Sequence, residues 1–166
     1  LPVIWLIYGI GIGFEAGAAS CVSRAVGRRD LGQARRLTID TMVLAAAVAL
    51  LLALAGLSAI GPLFALLGAT PELMPMIGDY MSVWFWVAPL DMALWTSLAS
   101  MRARGNTLFE SKVITAAAAL NLALDPLFIF GLFGFPRLEV AGAALATLVA
   151  TATMLTFTLL WLALKV

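Results

Sequence analysis

Asn121 and Asp125 stand four residues apart in the apolar stretch NLALDPLFIFG, residues 121–131, with Pro126 directly after the acid. On a helix this spacing puts the amide and the carboxylate one turn apart on the same face. Two more acids have apolar surroundings: Glu15, in GIGFEAGAAS, and Asp91, two residues after Pro89. A charged side chain at the centre of a bilayer costs about 2.5–3.5 kcal/mol on insertion scales. No Lys, Arg or His falls in the middle of the surrounding apolar runs. Each acid is therefore expected to hold a proton, an inorganic cation or a cationic organic molecule, or to meet a base from outside the chain. Desolvation disfavours the charged form of a carboxyl, which opens a proton switch near neutral pH. The chemistry expected of Asp125 is competition among H⁺, Na⁺ and an organic cation. The purely structural alternative is a protonated Asp125 hydrogen-bonded to Asn121 as a contact between helices. Glu15, among small residues, suits close packing as well as function. Asp91 suits a water-facing structural role at least as well as contact with substrate.

Composition defines the setting of these acids. Of 166 residues, 63% are hydrophobic and only 11% are charged, whereas a soluble domain is about a quarter charged. The chain reads as an integral membrane protein. A net charge of +1 gives no reason to expect nucleic acid or an acidic partner. Histidine is absent and Cys21 is the lone cysteine. That leaves no internal disulfide, zinc site, histidine triad or imidazole relay. No nucleophile–base pattern remains, so an enzyme is not expected. No signal-peptide pattern precedes the first apolar run, and residue 1 is leucine. An internal piece of a longer chain is the expectation.

A helix that crosses a bilayer needs about 20 mostly apolar residues. Five runs qualify, 2–26, 39–67, 77–101, 113–133 and 140–164. They are expected to be helices of one all-α membrane domain, 1–166. The segments GRRDLGQARR, GATPELMP, RARGNTLFESK and GLFGFPRLEV separate them. Thr70, followed by Pro71, is expected to cap a short surface helix or turn. Short connections make neighbouring helices antiparallel. Arg24, Arg28, Arg29, Arg35, Arg36, Arg102, Arg104, Lys112 and Lys165 fall on one side, and only Arg137 on the other. This bias predicts that the basic end is cytoplasmic. If the whole protein starts in the cytoplasm, a further spanning helix precedes Leu1. Asp125 lies 13 residues beyond Lys112, about 20 Å along a helix, which is past the middle of a core of about 30 Å. Pro126 cannot donate to the carbonyl of Leu122, so a helix bend is expected there.

The remaining features are mostly structural. GAALAT, residues 142–147, looks like a small-residue contact surface between helices. Thr147 within it suits a hydrogen bond back to its own helix. YMSVWFW, opening the third run, fits an aromatic belt at the membrane surface, with Trp84 and Trp86 able to line a cavity. Gly9, Gly11, Gly13 and Gly17 form no phosphate loop, because no strand precedes them.

Five motifs in order resemble the multidrug and toxic compound extrusion (MATE) transporters. They are SRAVGRRDLGQARR, PLFALLGATPELMPMIGDYM, SLASMRARGNT, NLALDPLFIFG and VAGAALATLVA. The resemblance covers nearly the whole chain. It implies a twelve-helix, two-lobe transporter of which this chain forms most of the N-terminal lobe, without the opening helix, its acid or the second lobe. It implies a cation-coupling site at Asp125, Asn121 and Thr147, with the backbone carbonyl of Ala143 one turn before Thr147. Hard oxygen ligands suit Na⁺ as well as a proton relay. The implied activity is export of cationic amphipathic compounds against H⁺ or Na⁺ at a plasma or inner membrane, in a prokaryote. No cofactor is expected besides the coupling ion. The implied partners are the small cationic substrate, the bilayer, and the missing helix and lobe. Glu15, Asp91, Trp84 and Trp86 are the further cavity candidates.

One alternative is a lipid-linked oligosaccharide flippase of the same superfamily, which would need cavity Arg or Lys for pyrophosphate. The other is a non-transporting membrane scaffold, which gives no reason for an Asn–Asp pair beside a proline.

Overall fold

Six α-helices and one 3₁₀ turn make up the chain in the computed structural model, which describes residues 2–134 and 136–165, without the side chains of Phe133 and Lys165. The helices are α1 Pro2–Gly27, α2 Leu31–Ser58, α3 Ile60–Leu66, α4 Met74–Ala103, α5 Thr107–Phe130 and α6 Glu139–Lys165. The 3₁₀ turn is Leu132–Gly134. No strand occurs among the described residues. The side chain of Lys165, assigned above to the basic end, lies outside the description.

Two helices begin well before the apolar segments that announce them, and α5 ends at Phe130 rather than at 133, because Gly131 turns left-handed. α2 starts at Leu31 rather than at 39, because Asp30 Oδ1 accepts from the Gln33 N–H at 2.8 Å and so caps it. α5 starts at Thr107 rather than at 113, because Asn106 Oδ1 accepts from the Phe109 N–H at 3.2 Å. Hydropathy marks where lipid touches a helix, whereas the cap marks where its hydrogen-bond ladder begins. The second apolar run divides at Ala59, giving α2 and the seven-residue α3. Thr70 does not cap a helix. Its carbonyl accepts from Leu73 and Met74 in a turn, and α4 follows with Pro75 in its first turn.

α1, α2, α5 and α6 are each long and apolar enough to cross a membrane. α4, at 30 residues, is long enough but has no stretch as apolar as theirs. Its place in the bundle supplies the reason. α4 packs against each of the other five helices, and Phe85, Leu98 and Met101 are fully buried there. Protein rather than lipid covers most of it, so Asp, Ser, Thr and Trp are tolerated along its length.

Small residues set the closest approaches. Ala45, Ala49 and Ala53 recur at helical spacing on α2 and are wholly buried. One turn further, a Cβ at Gly56 would lie 2.3 Å from the Phe85 ring of α4. Between α5 and α6, a Cβ at Gly142 would lie 2.5 Å from the Phe128 carbonyl oxygen. That carbonyl accepts from the Leu138 N–H at 3.0 Å, which pins the connection to the end of α5. Outward faces are apolar, with Leu51, Leu122 and Leu160 well exposed, as a lipid-facing surface requires.

Candidate functional site

The close contact at Gly142 brings polar side chains of α5 and α6 together. Asn121 and Asp125 share a face of α5, and Thr147 stands opposite on α6. The Asn121 amide lies 3.3 Å from Thr147 Oγ1. Thr147 Oγ1 donates to the Ala143 carbonyl at 3.0 Å, the back-bond typical of a helical threonine. The amide is best satisfied with its nitrogen donating to Asp125 Oδ2 at 3.2 Å. Its oxygen then accepts from Thr147 N at 3.2 Å, while the Thr147 hydroxyl keeps its proton on Ala143. All four residues named for a cation site thus form one connected polar group. Among the described residues no ion pair engages Asp125. Tyr80 of α4 lies close enough to Asp125 to feel its charge. Pro126 lies inside α5, which continues to Phe130.

A second polar feature lies between α1 and α4. A cavity of about 360 Å³ is lined by Trp5, Tyr8 and Glu15 of α1 and by Trp84, Asp91 and Trp95 of α4, with apolar residues between them. Trp84, Asp91 and Trp95 fall seven and four residues apart, the repeat that keeps side chains on one helix face. The Trp95 indole N–H donates to Asp91 Oδ1 at 3.2 Å, and the Tyr8 hydroxyl faces the same carboxylate. Tyr8 and Trp84 meet edge to face, with centroids 6.1 Å apart. Aromatic faces beside carboxylates attract cations by quadrupole and by charge together.

Two expectations are corrected here. Trp86 does not line the cavity; it is 48% exposed. Two residues along a helix turn a side chain by about 200°, so Trp84 and Trp86 must face different ways. Glu15 is also not without a counter-ion. Arg102, at the last turn of α4, places Nη2 3.5 Å from Glu15 Oε2 and pairs through Nη1 with Glu110 Oε1. An arginine counted as a topology marker thus reaches back from the basic end, so that of the three acids in apolar surroundings Asp91 and Asp125 are the two with no ion pair among the described residues.

Tyr8, Trp95, Tyr80 and Arg102 were missed from the sequence. The Asp91–Trp95 spacing of four was a usable signal. No local pattern announces Arg102, because its partners lie on other helices.

The family model MatE matches residues 1–127. A protein of Shewanella oneidensis described as an FAD transporter is 41% identical over 152 residues, covering 89% of this chain and 32% of that protein. Multidrug export protein MepA of Staphylococcus aureus is 29% identical over 161 residues, covering 97% of this chain and 35% of that protein. Vibrio cholerae MATE transporter VcmN, in its bent form, superposes with a TM-score of 0.91 at 30% identity, covering 99% of this chain and 36% of that one. The chain spans about a third of the length of these relatives. An all-α membrane bundle, matched along most of its length and laid over solved transporters of one kind, belongs to the MatE family, the multidrug and toxic compound extrusion transporters.

Proposed function

We propose that the chain is part of the N-terminal lobe of a cation-coupled antiporter, and that Asp125 is its coupling residue. The observation that carries this reading is the polar group at the α5–α6 contact. A carboxylate, an amide, a hydroxyl and a helix carbonyl meet between apolar helices, with no ion pair to the carboxylate among the described residues. Such a carboxyl holds either a proton or a cation. Asn121, Thr147 and Ala143 supply neutral oxygens that complete a shell for Na⁺ at little cost in desolvation. The coupling ion on this reading is H⁺ or Na⁺. The basic end faces the cytoplasm of a cell membrane, as the bias in charge favours.

The substrate on this reading is a cationic amphipathic compound. Asp91, which has no ion pair among the described residues, supplies charge and the tryptophans supply flat apolar faces. A second reading draws on the Shewanella relative, whose name points to FAD. The same aromatics would stack on a flavin ring. The Asp91 carboxylate would repel its phosphates, and that favours the cation.

The test uses the full-length transporter in proteoliposomes carrying a pH or Na⁺ gradient. Gradient-driven uptake of a lipophilic dye cation, competed by other cations and not by FAD, is expected. Asp125→Asn should abolish it. Full gradient-driven transport by that variant would end the assignment of Asp125, and competition by FAD alone would replace the substrate class.

A further inference from the structure

The cytoplasmic ends of the helices carry charge that the transport reading leaves unused. α2 and α6 both lean on α4, and a cleft of about 130 Å³ remains between them at the basic end of the bundle. Its mouth holds Arg35, from the first turns of α2, and Arg104, the residue that closes α4. Its deeper wall is apolar, formed by Ile39 and Met42 of α2 and by Leu159 and Leu162 of α6. Arg35, Ile39 and Met42 follow one another at helical spacing, so a single stripe of α2 passes from charge to hydrocarbon.

Among the described residues the two arginines have no partner of opposite charge. Arg104 Nη2 donates to Thr38 Oγ1 at 3.1 Å. Arg104 Nε is buried and has no hydrogen-bond partner. A buried guanidinium N–H left unpaired is costly. Burial, and after it the charge of Arg35, pull Arg104 below its ordinary pKa. The carboxylates of the same region, Asp30 and Asp40, line a different groove with Arg36, so no carboxylate among the described residues relieves the like charges at the cleft.

We propose that this cleft binds an anionic phospholipid of the leaflet at the basic end, with its phosphate clasped between Arg35 and Arg104. Guanidinium groups match phosphate oxygens with forked hydrogen bonds. The phosphate would offset the repulsion between the two arginines. The order of the cleft, charge at the membrane surface and aliphatic side chains below, is the order of a phospholipid from head to tail. Basic residues at a membrane surface each contribute about 1 kcal/mol toward anionic lipid, roughly a fivefold change in affinity.

The test uses the full-length transporter in detergent, with lipid binding read by native mass spectrometry and by the thermal midpoint. Phosphatidylglycerol should bind and raise the midpoint. Phosphatidylcholine and inorganic phosphate should do neither. Arg35→Gln should weaken phosphatidylglycerol roughly fivefold, and Arg104→Gln at least as much. Arg28→Gln, at the same basic end but outside the cleft, should change it less. Should Arg104→Gln fail to fold, Arg35, whose side chain is exposed, decides the matter. Equal effects of phosphatidylcholine, or the same protection by inorganic phosphate alone, would overturn the proposal. So would unchanged binding in Arg35→Gln, or an equal loss in Arg28→Gln.

Discussion

Arg102 Nη2 lies 3.5 Å from Glu15 Oε2, although 87 residues separate the two in sequence. The same guanidinium pairs with Glu110 in the first turns of α5. One side chain therefore ties α1, α4 and α5 together below the aromatic cavity. Glu110 is only 8% exposed, so it suffers most if the arginine is lost. Arg102→Gln is expected to destabilise the full-length protein by about 1–2 kcal/mol, below the value for a fully buried pair because the arginine is half exposed. Adding Glu110→Gln should recover part of that loss. Thermal unfolding of the two single variants and the double variant measures the coupling, and strict additivity would rule out the pair.

Gly142 has no room for a side chain. Its Cβ would collide with backbone atoms of Phe128 and Ile129, and backbone cannot rotate away as a side chain can. Gly142→Ala should cost about 1–3 kcal/mol and push α6 away from α5, so transport should fall with stability. Gly13→Ala, where nothing lies within 4 Å, is the matched control and should be neutral in the same melting experiment.

At Gly56 the obstacle is a ring. An added methyl would meet Phe85, which is completely buried. Gly56→Ala should also destabilise by about 1–3 kcal/mol. Here a second change should help. Phe85→Leu in the Gly56→Ala background should regain stability, whereas Phe85→Leu alone should lose it. A double variant no better than Gly56→Ala would show that the α2–α4 contact is not set by this pair.

Asp125→Asn separates coupling from packing. The amide keeps the shape and can still bond to Asn121, but it cannot titrate. Thermal stability is expected to stay level or to rise, because a membrane acid with no basic partner is removed. Coupled transport is expected to vanish. If Asp125 served only to hold α5 to α6, the variant would melt lower and transport normally per folded molecule. Both readings come from one purified sample.

Much of this arrangement was legible in the sequence, and the boundary is a physical one. α1, α2, α5 and α6 were visible because lipid demands apolar runs of a fixed length, whereas α4 showed as a weaker run because protein covers most of it. Asn121 and Asp125 were visible as a pair because helical geometry fixes neighbours one turn apart. Caps are different: Asp30 and Asn106 each act through one oxygen, and the charged turns they start look like loops to a hydropathy reading. The Arg102–Glu15 contact was invisible because it depends on how three helices lean together. The pairing of Trp84 with Trp86 was a mistake that helical geometry alone could have prevented.

α4 touches each of the other five helices, yet it is not the first to be made. The ribosome delivers α1 and α2 to the membrane before it. The Ala45–Ala49–Ala53 stripe and Gly56 must then face lipid, or a chaperone of the insertion machinery, until residues 74–103 arrive. Biogenesis of this lobe therefore hinges on a late-coming, sparingly apolar segment that earlier segments must wait for. Damage to α4 would be expected to strand its neighbours as an inserted but unassembled hairpin, open to quality-control proteolysis.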